Sequence, residues 1–225
     1  MIEQLGRMNR RAENLTASRV ARREKNDEES GLLRTGNLVV IGASAGGPAA
    51  LAQVLSGLPK DFPAAVVLVQ HLDAEFVPGM ASWLQGQSPL PVRVAREGDR
   101  PAAGTALISG GGRHLILTDT CTLGYTSNAG QSFFRPCIDL FFNSVAKHWK
   151  CRTVGVLLTG MGRDGARGLK ALREAGAYTI AQDQATSAIY GMPKEAADIG
   201  AAIEILPLDR VADALMRVFG KERAS

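Results

Sequence analysis

The sequence predicts an α/β fold: a doubly wound, mainly parallel sheet flanked by helices, with a short antiparallel edge or flap. Three observations carry that prediction. From residue 38 onward, short β-branched runs alternate with helix-length stretches, the pattern of repeated βα units. Several of these runs, VVLV at 66–69 and TVGVLL at 153–158, are apolar at consecutive positions, as in strands covered on both faces. Glycine is abundant, 25 of 225 residues against an average near 7%, which suits tight turns and close backbone approaches.

The expected strands are 38–43, 65–70, 92–95, 105–108, 114–118, 153–158, 178–181 and 202–206. Each is a short run bounded by glycine, proline or charged residues. The expected helices are 48–56, 76–84, 136–149, 164–175, 194–198 and 208–219. Pro48 and Pro136 suit a first helical turn, where a missing N–H costs nothing. Between 92 and 128 the strands follow one another without a helix, so this stretch is assigned to the antiparallel edge or flap.

Composition excludes several classes. With 45% hydrophobic and 21% charged residues the chain is neither disordered throughout nor a disulfide scaffold. Its uninterrupted apolar runs, such as 64–69, fall far short of the ~18 residues of a membrane span. The charged start lacks the apolar core of a secretory signal, and a cytoplasmic protein with no membrane insertion is expected. Cys121, Cys137 and Cys151 are odd in number and show no CxxC spacing, which favours reduced thiols over a disulfide or a zinc site. The net charge of +4 is spread without a dense basic patch, so no nucleic-acid partner is expected.

Residues 1–36 hold 8 Lys/Arg and 6 Asp/Glu, a density that sets them apart from the rest. They read as a charged, mobile N-terminal tail, with a short docking helix striped by Ile2, Leu5 and Met8 as the alternative. Residues 37–220 form the folded domain, and 221–225 a C-terminal tail.

In open α/β sheets, ligands bind beyond the carboxyl ends of the strands, and three reactive residues fall there. Ser44 lies in Gly42-Ala-Ser-Ala-Gly-Gly47, between the first strand and the helix opened by Pro48. Small neighbours allow a sharp turn that presents the hydroxyl beside helix N–H groups able to hold an oxyanion. A plain turn or N-cap role is the more usual one for a serine there, and such a string alone is a weak signal. His71 ends the second strand, adjacent to the first in the simplest crossover, and is placed to take the Ser44 proton. Asp164 follows the 153–158 strand in Thr-Gly-Met-Gly-Arg-Asp-Gly, where it would orient the imidazole or cap the next helix. Asp183 is its main competitor; Asp73 is too near His71 in the chain and Asp139 lies on an expected helix. A dinucleotide-binding reading, from the glycine turn and a Tyr190-x-x-x-Lys194 string, fails because Gly191 and Pro193 oppose the shared helix face it needs.

Five ordered blocks make residues 38–219 resemble the catalytic domain of the CheB-type chemotaxis methylesterases: VVIGASAGGPAAL around Ser44, VVLVQHL around His71, FRPCIDLFFNSVA from Phe134, GVLLTGMGRDGARGL around Asp164, and AGAYTIAQDQATSAIYGMPKEA from Ala175. The resemblance implies a serine hydrolase that removes methyl esters from glutamates on chemoreceptor cytoplasmic helices and also deamidates receptor glutamines. It implies Ser44 as nucleophile, His71 as base, Asp164 as orienter and the N–H groups of Ala45 and Met161 as the oxyanion hole, without metal or organic cofactor. Arg135 is expected either to meet an acidic receptor helix or the product carboxylate, or to be a surface arginine near the 136–149 helix; His114 and His148 are expected to be structural. Family members usually carry an N-terminal receiver domain of some 120 residues. Only 36 residues precede the domain here, so constitutive activity, or control through docking of the tail to a chemosensory partner, is expected. Ser109-Gly-Gly-Gly112 stands where the family usually has a proline-glycine turn.

Overall fold

The computed structural model describes residues 36–128 and 135–220. Among the described residues nine strands run in chain order as β1 (Asn37–Ala43), β2 (Ala64–Gln70), β3 (Val92–Val94), β4 (Ala106–Ile108), β5 (His114–Leu117), β6 (Leu123–Thr126), β7 (Thr153–Leu157), β8 (Tyr178–Gln182) and β9 (Glu204–Leu206). Six α-helices of the described residues accompany them: α1 (Gly47–Ser56), α2 (Val77–Gln87), α3 (Ile138–His148), α4 (Ala166–Glu174), α5 (Met192–Asp198) and α6 (Leu208–Val218). Seven strands form one sheet in the order β3-β4-β2-β1-β7-β8-β9, and every neighbouring pair in it is parallel. β5 and β6 form a separate antiparallel hairpin.

Alternation along the buried strands divides the core into two layers. Val39, Ile41, Val66, Leu68, Val154 and Val156 face the layer covered by α1, α2 and α6. Leu38, Val40, Val67, Val69 and Leu157 face the layer built with α3, α4, α5 and the hairpin. Side chains of a strand point alternately to opposite faces, so apolar residues at every position are what two covered faces demand.

Two expectations about the segment 92–128 need correction. β3 and β4 do not belong to the antiparallel element: they extend the main sheet in parallel, β3 on β4 and β4 on β2. The 11-residue connection 95–105 crosses over without a helix, and an absent helix was the wrong signal for an absent crossover. The hairpin partner of β5 is Leu123–Thr126, a Leu-Gly-Tyr-Thr run too short and too glycine-marked to read as a strand. Pro136 also lies outside the helix it was expected to open, because α3 begins at Ile138 with Cys137 as its N-cap. Pro193, by contrast, sits in the first turn of α5 and helps to start that helix.

Candidate active site

The sheet order reverses at β1, whose chain neighbour β2 lies on one side and β7 on the other. Such a switch point opens a crevice beyond the strand ends. Ser44 follows β1, His71 follows β2, and Asp164 lies in the loop after β7, so the three strands that meet at the switch each deliver one of the residues.

Ser44 Oγ lies 3.1 Å from His71 Nδ1, and His71 Nε2 lies 2.8 Å from Asp164 Oδ2. An ionised carboxylate only accepts, so it fixes the tautomer with the proton on Nε2 and leaves the Nδ1 lone pair for the serine hydroxyl. The ring is turned relative to the serine-protease template, in which Nε2 faces the serine. Either nitrogen is competent as a base once its partner is fixed.

The carboxylate is anchored from behind. Asp164 Oδ2 also accepts the Ile138 N–H at 2.8 Å, and Oδ1 accepts the Asp139 N–H at 3.0 Å and the Cys137 thiol at 3.3 Å. These groups form the N-terminus of α3, so the expected capping role is real but falls on a different helix: α4 is capped by Gly165 in the left-handed region, and Asp164 caps α3. Burial alone would raise its pKa; the His71 ring and the N–H groups of Asp139 and Ile138 outweigh that and hold it below the ordinary carboxylate value. Of the competing acids, Asp183 accepts from the Thr186 N–H and hydroxyl within its own turn, and Asp139 accepts from the Gly168 N–H. Burial pushes the Asp139 carboxyl up.

The turn that carries Ser44 depends on small residues. Gly46, the N-cap of α1, has φ 77°, and a Cβ there would meet Ala188 Cβ at 2.6 Å. Gly160 lies so close beneath the serine that an added Cβ would meet Ser44 Cβ at 2.7 Å and collide with Met192 Sδ. Thr159 ties the loops together: its hydroxyl lies 2.9 Å from the Ala45 oxygen and receives the Ile189 N–H at 2.9 Å. Its own N–H donates to Gln182 Oε1 at 2.8 Å. Among the described residues, no backbone carbonyl accepts from the N–H groups of Ala45 and Met161, and Met161 exposes 71% of its surface at the rim.

Arg135 is exposed, two residues before the Cys137 that meets Asp164. His114 is buried on β5; burial, then the Arg135 charge, lower its pKa and favour the neutral ring. Among the described residues no group of three His, Cys, Asp or Glu side chains is arranged to hold a metal, and no helix is long and apolar enough to cross a membrane. A concavity of about 690 Å³ lies at the opposite ends of β7 and β8, among Trp149, Thr153 and Tyr178, away from the serine.

Sequence reading missed Cys137, Gln70 and the α3 N-terminus as parts of the site. The Cys-Ile-Asp triplet carries no local mark of proximity to Asp164, 26 residues on. For Gln70, a polar residue closing an otherwise apolar strand was a usable signal.

Comparison with known proteins identifies the family. Residues 39–215 match the model of the CheB methylesterase family. The chain is 57% identical over 203 residues to a protein-glutamate methylesterase/protein-glutamine glutaminase of Cupriavidus pinatubonensis, covering 90% of this chain and 60% of the relative. It is 61% identical over 180 residues to one of Burkholderia lata, covering 80% and 54%. The chain thus spans little more than half the length of these relatives. The crystal structure of the Thermotoga maritima CheB methylesterase catalytic domain superposes with a TM-score of 0.78 at 34% identity, covering 81% of this chain and 98% of that one. With its switch-point serine, histidine and aspartate on a shared fold, the chain belongs to the CheB methylesterase family.

Proposed function

We propose that this chain is a protein-glutamate methylesterase that also deamidates glutamine, with Ser44, His71 and Asp164 as its catalytic residues. The hydrogen-bonded relay from Ser44 through His71 to a buried, helix-anchored Asp164 carries the reading. The names of the relatives supply the reaction class.

His71 Nδ1 takes the Ser44 proton as Oγ bonds to the ester carbonyl carbon, and the carbonyl π-electrons move onto oxygen. The resulting oxyanion is held by the Ala45 and Met161 N–H groups. When it collapses, the C–O bond to the methoxy group breaks and methanol leaves with the proton from His71. Water then loses a proton to His71 and adds to the acyl-enzyme; collapse of that second adduct returns a proton to Ser44 and frees the glutamate. A glutamine follows the same path, with ammonia as the leaving molecule. The Asp164 carboxylate stabilises the imidazolium formed twice in this cycle. No step calls for a metal or organic cofactor.

The substrate is the cytoplasmic helical region of a methyl-accepting chemoreceptor, which places the protein in the cytoplasm. Arg135, exposed beside the site, meets acidic residues of that helix or the product carboxylate. A further chemosensory partner for the N-terminal tail is part of this reading; residues 1–35 lie outside the described residues.

Methanol release from methyl-esterified receptor, wild type against Ser44→Ala, tests the proposal. The variant is expected to lose about four to six powers of ten in rate. A wild type no faster than the variant contradicts it, and brisk turnover of short acyl esters without any turnover of receptor would assign the site to small molecules.

A further inference from the structure

Gln70 is a buried side chain at the end of β2 to which the mechanism above gives no role. Its Nε2 donates to two carbonyl oxygens, that of Ser44 at 2.9 Å and that of His71 at 3.0 Å. The Ser44 oxygen accepts a second bond, from the Gly47 N–H at 2.8 Å. A trans peptide unit is planar, with its C=O and N–H on opposite edges. Fixing the Ser44 oxygen therefore fixes the direction of the Ala45 N–H, which points away from Gln70.

The same device recurs on the facing loop. The Gly160 oxygen accepts the N–H groups of Gly191 at 3.1 Å and Met192 at 2.9 Å, and its peptide unit carries the Met161 N–H. Both proposed oxyanion donors thus belong to peptide units whose oxygens are gripped twice. Of the four gripping donors only the Gln70 amide is a side chain.

We propose that Gln70 is a positioning residue for the oxyanion hole: its amide holds the Ser44 peptide so that the Ala45 N–H meets the developing oxyanion without reorganising. The inference rests on the assignment of Ser44, Ala45 and Met161 above. The other end of the amide supports it. Gln70 Oε1 is buried without a hydrogen-bond partner among the described residues, packed where a side chain on Gly47 would collide with it. A buried acceptor left unpaired costs stability, and a residue kept for packing alone would avoid that cost with an apolar chain of the same shape. Preorganised donors matter more to the transition state than to the bound substrate, so the role is visible in kcat and not in KM.

Gln70→Met keeps the shape and removes both donor hydrogens; Gln70→Glu keeps shape and polarity and replaces the donor with an acceptor. Each is assayed on methyl-esterified receptor and titrated with butylboronic acid, which adds to a serine oxygen as a tetrahedral anion. In both variants kcat is expected to fall about 10- to 100-fold, less than full loss of an oxyanion donor, with KM within about twofold and boronate affinity reduced in step with kcat. If Gln70→Met fails to fold, Gln70→Glu carries the test. Unchanged kcat in a folded variant, or a fall in kcat with unchanged boronate affinity, overturns this proposal while wild-type turnover leaves the reading of the site standing. A wild type without turnover overturns both.

Discussion

The Asp164 carboxylate receives four hydrogen bonds, from the His71 ring, two α3 N–H groups and the Cys137 thiol. The other three do not involve the Cys137 side chain and persist in variants at that position. Cys137→Ser, which keeps a donor, is expected to retain activity within a few-fold. Cys137→Ala is expected to lose about fivefold in kcat, the worth of one hydrogen bond of about 1 kcal/mol; equal kcat in the two variants would contradict a role for the donor. Asp164→Asn is expected to lower kcat by about 10⁴ because the tautomer is no longer fixed. It also alters the pH dependence of stability. The folded pKa of Asp164 is depressed, so its contribution is fully present above the unfolded value of about 3.9 and is lost as pH falls through the lower folded value. The difference in melting temperature between wild type and Asp164→Asn is therefore expected to be level from about pH 5 to 8 and to shrink below about pH 4. A gap that narrows instead between pH 6 and 8 would show that another group controls it.

At the level of elements, glycine acts by what it leaves vacant. A methyl at Gly160 would occupy the space of Ser44 Cβ and Met192 Sδ, so Gly160→Ala is expected to destabilise by about 1–3 kcal/mol through overpacking and to displace the serine. Gly86 in α2 has no heavy atom near its potential Cβ, and Gly86→Ala is expected to stabilise by about 0.5–1 kcal/mol. Thermal melts of both distinguish a glycine required by packing from one that is merely tolerated. The elements most legible in the sequence were those whose pattern is set locally: β1, β2 and β7, apolar but for one terminal residue each, and α1, opened by Pro48. Pairing was less legible. β3 and β4 join the parallel sheet through a crossover without a helix, and β6 pairs as a four-residue strand with glycine in it; neither fact is encoded in periodicity.

Across the whole molecule, sheet order is what turns three distant residues into a site. Ser44, His71 and Asp164 were legible as chemistry at strand ends, and the order β2-β1-β7 makes those ends adjacent. The support behind them was not legible, because Gln70 and Cys137 acquire their partners only when β2 lies beside β1 and α3 packs its N-terminus against the loop after β7. Both core layers of the described residues are built from residues between 38 and 219. A chain beginning at residue 36 is therefore expected to melt cooperatively within a few degrees of the full chain and to retain kcat. Loss of cooperativity would show that residues 1–35 contribute to the core, and a rise in KM alone would assign them to receptor docking.

The kinetic expectations depend on Ser44 Oγ being the atom that attacks. Incubation of the protein with a fluorophosphonate ester, followed by peptide mass spectrometry, locates the nucleophile directly. The account predicts a single phosphonylated residue, Ser44, with labelling slowed at least a hundredfold in His71→Ala. Labelling elsewhere in the chain, or labelling of Ser44 at an unchanged rate without His71, would contradict it.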